Sequence, residues 1–382
     1  MRVVTITGIR PDFIRMSEVF ARLDERFDHV MIHTGQHYDD ELSRIFFNEL
    51  SIRRPDYTLD TGTRSRNHYE QLAYLSTEVI GLLEREKIRP EVILFLGDSN
   101  SALASVPLFK QGYRIAHIEG GMRSYDRRMP EEVNRVCCDY VSDWVFVYTE
   151  LYKERLSREN KDPDRIFVVG NTIVEVVRKY LPSGPRSRDY LVADVHRNEN
   201  LSSVSQYRHI LEYLERLGAT LDLPVRLVRF NRGVRLIEEH RLLDDKPHVR
   251  LFGPYGFLDY LDLQYQAFGV VSDSGTSQEE CPLLGVPVAV PRNFTERPES
   301  VEFGNSVLVG ETRPVDEMVR MTTEFFKGYR VSDEQLRWLG DGRTAERIVD
   351  ILERERVDVR VLLHMGPLGG GLKKPGCPGP TQ

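Results

Sequence analysis

The sequence predicts an α/β protein built from two doubly wound, Rossmann-like domains that face each other across a central cleft. Three observations carry this expectation. The chain has 382 residues, more than the size at which a single hydrophobic core keeps growing, so two domains are expected. Short, unbroken apolar runs alternate with amphipathic helical stretches from the first residue, the pattern of a parallel sheet covered on both faces. After Gly170 the alternation begins again.

In order, Arg2–Thr7 reads as a first buried strand and Pro11–Glu25 as a helix with one apolar face. His29–His33 is a second strand, followed by a helix around Asp40–Leu50. A helix over Glu70–Glu86 precedes a continuous apolar strand at Glu91–Leu96. Ala102–Gln111, a strand at Arg114–Ile118, a helix from Pro130 to about Tyr140 and a strand at Trp144–Tyr148 complete a first domain placed at residues 1–172. The second series has strands at Tyr190–Val195, Val225–Phe230, Val249–Phe252, Gly269–Ser272 and Pro287–Pro291, in a domain placed at 173–355. Turn formers over Pro182–Arg188 suit an inter-domain segment. An amphipathic helix over about Ser332–Glu355 is long enough to pack back on the first domain. The Gly- and Pro-rich residues 366–382 are expected to be a disordered tail.

Composition narrows the function classes. Apolar residues make up 40% and charged residues 29%, an ordinary globular mixture. A net charge of −7 argues against general affinity for nucleic-acid backbones or membranes, while leaving room for one basic diphosphate pocket. Cys137, Cys138, Cys281 and Cys377 form no CxxC pair and no zinc spacing, so they read as reduced thiols of a cytoplasmic protein without a metal site. The apolar run at the N-terminus is too short for a signal peptide or a membrane span.

Two doubly wound sheets present their strand C-termini to one cleft, where open α/β sheets bind ligands. The first loop there is Gly8–Pro11, in which Gly permits a tight turn and Pro begins a helix whose N-terminus favours an anion. Arg10 can fork onto phosphate oxygens, although a plain strand-to-helix turn has the same residues. Asp98 follows the strand at Glu91–Leu96, Glu119 follows Arg114–Ile118, and Glu131 opens the helix after Pro130. Three carboxylates at neighbouring loop tips suit proton transfer, because burial and mutual repulsion push their pKa values apart. Glu131 and Glu132 in a first helical turn also suit the helix dipole alone.

In the second domain, His196 and Arg197 follow the first strand, and Ser272–Glu280 reads as strand, turn and helix. Small residues in this turn let backbone N–H groups approach a phosphate, and a glutamate one to two turns into the helix can accept from ribose hydroxyls. No GxGxxG or Walker lysine pattern occurs at these loops, so dinucleotide redox cofactors and ATP hydrolysis lose support.

Taken together, the motifs resemble those of the non-hydrolysing UDP-N-acetylglucosamine 2-epimerases, enzymes of GT-B architecture. The resemblance runs through GIRP (Gly8–Pro11), TGQH (Thr34–His37), GDSNSALA (Gly97–Ala104), HIEGGMRS (His117–Ser124) and PEEVNR (Pro130–Arg135). It continues through GNTIVEVV (Gly170–Val177), HRNEN (His196–Asn200), SDSGTSQEE (Ser272–Glu280) and RNFTERPE (Arg292–Glu299). Nine motifs in one order make it specific.

The resemblance implies a UDP-sugar substrate, no cofactor, and a homodimer. It implies that Asp98, Glu119 and Glu131 form the acid/base group, with His196 near the departing phosphate. It also implies that Arg10, Arg123, Arg135, Arg197, Ser274, Gly275, Glu280 and Arg297 bind substrate or UDP, and that Gln36 and Arg197 match an activator site. Departures at Asp39 and Arg229–Arg232 set that second site apart from the family pattern. The Asp126–Glu132 segment looks closer to branches acting on 6-deoxy or diacetamido sugars. A hydrolysing epimerase, a GT-B glycosyltransferase and a nucleotide-sugar sensor are the alternative readings.

Overall fold

A computed structural model describes residues 1–36, 47–126 and 129–364. Among the described residues, thirteen strands fall into two all-parallel sheets. The first sheet comprises β1 (Arg2–Thr7), β2 (Asp28–His33), β3 (Tyr57–Thr58), β4 (Val92–Leu96), β5 (Ile115–Ile118), β6 (Trp144–Val147) and β7 (Ile166–Val168). The second comprises β8 (Leu191–Asp194), β9 (Val225–Val228), β10 (Val249–Phe252), β11 (Gly269–Ser272), β12 (Val288–Val290) and β13 (Ser306–Leu308).

The spatial order is β3-β2-β1-β4-β5-β6-β7 in one and β10-β9-β8-β11-β12-β13 in the other. Both orders reverse direction once, between β1 and β4 and between β8 and β11. Such reversals open a crevice at the strand C-termini, because the connecting helices depart to opposite faces. The loops after β1, β4, β8 and β11 are therefore the ones placed for a ligand.

The strands are unbroken apolar runs because both faces are covered. Val92–Leu96 is buried throughout, with Leu94 and Leu96 in one apolar cluster and Ile93 and Phe95 in another. The helix Arg10–Arg26 buries Phe13, Met16, Val19, Phe20 and Leu23 on one side, the spacing of a single helical stripe. Asp12 and Arg15 are buried in the same helix, which an apolar stripe alone does not explain.

Several elements depart from the sequence expectation. The helix expected over Ser332–Glu355 is broken into Asp333–Leu336, a short 3₁₀ turn at Arg337–Leu339, and Thr344–His364. Gly340 and Gly342 stand between them at φ 87° and 74°, a conformation that ends a right-handed helix. The Ala102–Gln111 segment starts earlier, as a 3₁₀ turn Asn100–Ala104, and then becomes the helix Ser105–Lys110. The short strands β3, β7 and β13 were not expected at all.

The helix Thr344–His364 lies against the first sheet's side of the molecule, where Arg26 pairs with Glu353 and Trp144 Nε1 donates to Glu355 Oε2 at 3.2 Å. Pro182–Arg188 has no regular structure, and Arg186 stacks over Tyr265. The expected tail at 366–382, with Cys377, lies outside the described residues, as does most of the helix expected around Asp40–Leu50. No helix among the described residues is long and apolar enough to cross a membrane.

Candidate functional site

The loop after β1 is shaped by its own helix. Asp12 accepts from the backbone N–H of Gly8 at 2.7 Å and of Ile9 at 3.1 Å, tying the turn to the first helical turn. Burial pushes the Asp12 carboxyl up to about 7, the two backbone donors oppose this, and Asp98 and Glu119 add to it. A Cβ on Gly8 would fall 2.0 Å from Ser101 Oγ, so the close approach of these loops requires glycine. Arg10 is the first residue of the helix and is half-buried.

Around β5 a second buried anchor sets the geometry. Asp139 accepts from His117 Nδ1 at 2.8 Å, from the Gly121 N–H at 3.0 Å and from Arg123 Nη1 at 2.8 Å. Arg123 also donates to the Met122 carbonyl and pairs with Glu159 at 2.7 Å. Arg123, expected from the resemblance to bind substrate, clamps the loop through these contacts. The clamp leaves Glu119 at φ 71°, an uncommon conformation for a side chain with a Cβ and one held where surrounding contacts over-determine it.

Glu119 is buried and faces three arginines. Arg15 Nη1 lies 2.6 Å from one of its oxygens, Arg297 Nη2 3.0 Å from the other, and Arg135 Nη2 3.7 Å from the latter. Burial works to raise its pKa, but the three guanidinium groups outweigh it and hold the carboxyl down at about 2. Asp98, at the neighbouring loop, moves the other way. Burial raises it, Arg135 opposes, and Glu119, Glu296 and Glu131 add to the rise. One carboxyl is thereby kept ionised while its neighbour is pushed towards holding a proton, a division suited to acid and base roles.

Glu131 and Glu132, adjacent in sequence, part company. Glu132 accepts from the Ser124 and Tyr125 N–H groups at 2.9 and 3.1 Å, so it fastens the loop. Half-buried Glu131, in the first turn of the helix Pro130–Val141, is close enough for its charge to bear on Asp98 and Arg197. Arg135, one turn on, bonds Asp98, while its Nε and Nη1 are buried without a hydrogen-bond partner among the described residues. Buried donors of this kind call for a ligand oxygen.

On the opposite wall, β8 and β11 run side by side with Ser272 beside Asp194. Asp273 accepts from the backbone N–H of His196 and Arg197, both at 3.0 Å, and from Asn200 Nδ2 at 3.0 Å. This fixes the His196 loop next to Ser274 and Gly275. His196 also bonds Asp194 through Nδ1 at 2.9 Å. Its burial favours the neutral ring, yet Asp194 and Asp273 prevail and raise its pKa. Gly275 lies under Arg297, whose Nη1 would be 2.3 Å from a Cβ there. Glu280, buried in the helix Ser277–Leu283, is pushed up to about 7 by burial.

The two walls are joined by charge. Arg15 bonds Glu119 and Glu279, and Arg297 bonds the same two carboxylates through Nη2 and Nε at 3.0 Å each. The result is a closed ring, Arg15–Glu119–Arg297–Glu279. Glu296 lies beside it, 3.3 Å from Arg297, 3.5 Å from Arg292 and 4.0 Å from Arg197.

Asp98, Glu119, Arg135 and Arg297 are therefore brought together, with Glu131, Arg197, His196, Ser274 and Gly275 around them. Gln36 follows β2 and shares no hydrogen bond or ion pair with Arg197 among the described residues; His37 and Asp39 lie outside them. Arg15, Glu279, Glu296 and Asp194 were missed as site residues. The signal for Arg15 was a charge on the apolar stripe of its helix, three residues after Asp12. For Glu279 and Glu296 it was their place inside two of the motifs. Among the described residues no three His, Cys, Asp or Glu side chains group as metal ligands would.

Comparison with known proteins bears on this site. The profile of the family described as UDP-N-acetylglucosamine 2-epimerase matches residues 21–353. The UDP-N-acetylglucosamine 2-epimerase of Methanocaldococcus jannaschii is 34% identical over 373 residues, covering 92% of this chain and 99% of that protein. The UDP-2,3-diacetamido-2,3-dideoxy-D-glucuronate 2-epimerase of Pseudomonas aeruginosa is 33% identical over 365 residues, covering 93% of this chain and 100% of its own. The crystal structure of the M. jannaschii UDP-GlcNAc 2-epimerase in complex with UDP-GlcNAc and UDP superposes with a TM-score of 0.84 at 33% identity, covering 93% of this chain and 100% of that one.

Proposed function

The chain belongs to the UDP-N-acetylglucosamine 2-epimerase family, and on that premise we propose that it interconverts UDP-N-acetylglucosamine and UDP-N-acetylmannosamine by inverting C2 of the sugar in this cleft. The observation that carries the reading is the placement of Glu119, held ionised by three arginines, beside Asp98, whose pKa burial and the neighbouring carboxylates raise, across from His196.

The chemistry follows from that placement. A carboxylate among Asp98, Glu119 and Glu131 removes the C2 proton, and the electron pair left on C2 forms the C1=C2 double bond. The C1–O bond to UDP breaks, its electrons staying on the β-phosphate oxygen, and a 2-acetamidoglycal remains. A second carboxyl of the group, protonated from solvent, delivers a proton to C2 on the opposite face as the same phosphate oxygen re-forms the bond to C1. No external hydride is required, because one proton is lost and one is gained with no change of oxidation state. Cationic Arg10, Arg135, Arg197, His196 and Arg297 offset the charge that develops on UDP, and the backbone at Ser274 and Gly275 receives a phosphate. Glu280 is assigned to the ribose hydroxyls.

The similarity to the P. aeruginosa diacetamido-glucuronate enzyme favours a second reading, in which a modified UDP-2-acetamido sugar is the substrate. Under either reading we infer a cytoplasmic homodimer, and sedimentation tests the dimer. The deciding experiment is turnover in deuterated water with UDP-GlcNAc, UDP-ManNAc and UDP-2,3-diacetamido-glucuronate. Deuterium at C2 of an intact UDP-sugar is the expected result. Free UDP with free sugar would replace it by a hydrolase, and turnover only with an added acceptor by a glycosyltransferase.

A further inference from the structure

His196 is held from one side by a chain of two groups that the reaction scheme above leaves unused. Asp194 is the last residue of β8, buried, and its two carboxylate oxygens have separate partners. Oδ1 is 2.9 Å from His196 Nδ1, and Oδ2 accepts from the Tyr260 hydroxyl at 2.8 Å. Tyr260 projects from the helix Phe257–Gln266, an element that neither follows β8 nor adjoins it in sequence. A carboxylate facing Nδ1 makes that nitrogen the donor, so a ring carrying a second proton must carry it on Nε2. Phe230 packs against the ring with centroids 4.6 Å apart, limiting its rotation. Nε2 has no hydrogen-bond partner among the described residues, and the side chain is 30% exposed.

We propose that Asp194, oriented by Tyr260, is a positioning residue that fixes Nδ1 as a donor and aims the His196 ring, so that the doubly protonated ring donates Nε2–H to the β-phosphate of the departing nucleoside diphosphate. The proposal rests on the functional reading above, and deepens it by assigning the group that sets the leaving-group donor. The charged and titratable neighbours of the ring are Asp194 on its own strand, Asp273 in the loop after β11, Arg197 in its own loop and Tyr260 on the helix above, with Glu280 beyond Asp194. Asp194 and Asp273 act together to favour the imidazolium, and Arg197 acts against it. Asp273 is already committed to three other donors, which leaves Asp194 as the carboxylate whose removal alters the ring without unfastening its loop.

The test compares binding of UDP and of UMP, which lacks the β-phosphate, by calorimetry across pH 6 to 9, together with NMR titration of the His196 ring. In the parent protein the UDP-to-UMP affinity ratio is expected to fall as pH rises through the raised His196 midpoint. In Asp194→Asn the midpoint moves to lower pH and the ratio at pH 7.5 drops about tenfold or more, the scale of one charge-assisted hydrogen bond, with UMP affinity unchanged. Tyr260→Phe retains the carboxylate and removes only its orienting hydroxyl, so the ratio falls by less. Should Asp194→Asn lose UMP as well, Tyr260→Phe decides alone. An unchanged ratio in the readable variant, or an unmoved midpoint in a folded Asp194→Asn, overturns the proposal. These readouts need no turnover, so a failure of C2 exchange would count against the functional reading and not against this one.

Discussion

Arg297 places its Nη2 3.0 Å from Oε1 of Glu119, so a side chain following the second sheet's β12 holds the carboxylate at the end of β5 in the first. The same guanidinium reaches Glu279 and Glu296. One residue therefore sets both the ionisation of a candidate acid/base group and the contact between the two walls of the cleft.

Arg297→Gln is expected to lower kcat by roughly 100-fold or more, the scale seen when one oriented donor is removed from a reacting site. Because Arg297 is among the groups holding Glu119 low, its loss raises the Glu119 pKa, and the acid limb of the kcat/KM profile moves to higher pH. Arg297→Lys does not restore activity, since a point charge cannot serve three carboxylates in fixed directions. Parent-like activity in the lysine variant would show that the fork geometry is irrelevant.

Arg15 is expected to matter for stability as much as for chemistry. It is buried between Glu119 and Glu279, and deleting it leaves two buried carboxylates to share Arg297, an uncompensated buried charge that costs about 3–5 kcal/mol. Urea unfolding of Arg15→Met should show this loss, and adding Glu279→Gln should recover part of it. Strict additivity of the two changes would mean that the ring carries no coupling.

Asp98→Asn, Glu119→Gln and Glu131→Gln should each reduce C2 exchange by about 100-fold or more, in the range expected for a lost general acid or base. UDP affinity should change little in the Asp98 and Glu131 variants. Glu132→Gln provides the contrast, because among the described residues Glu132 bonds loop groups; its expected effect is on melting temperature. If Glu132→Gln abolished exchange with an unchanged melting temperature, the separation of these two neighbours would be wrong.

The pH dependence of stability should reveal a carboxyl remote from the cleft. Glu175 accepts from the Ala345 N–H at 3.0 Å, and burial pushes its pKa from 4.5 up to about 7. A carboxyl raised in the folded state binds its proton more tightly there than when unfolded. Stability therefore declines as pH rises from about 4.5 to about 7, and levels off above. Asp12 and Glu280 contribute in the same direction, while Glu119, held at about 2, contributes stability that is lost as pH falls from about 4.5 to about 2. Glu175→Gln should flatten the decline between pH 5 and 7 without changing turnover; an unaltered slope would assign it elsewhere.

The amino-acid sequence by itself determined the fold class and the strand ends. β1, β10 and β11 fall at the residues expected, because a fully buried parallel strand writes itself as a local apolar run. Two- and three-residue strands such as β3 and β7 carry no such run, and the apolar stripe of the last helix continued through Gly340 and Gly342 as though no break existed. Asp98 and Glu119 stood out as carboxylates at strand ends. What faces them was decided only by the tertiary structure, since Arg15 meets Glu119 across 104 residues and Glu279 across 264, and Arg297 meets Glu119 across 178. The pKa of a buried carboxyl is set by whichever charges the fold brings within a few ångströms, and no local pattern records them.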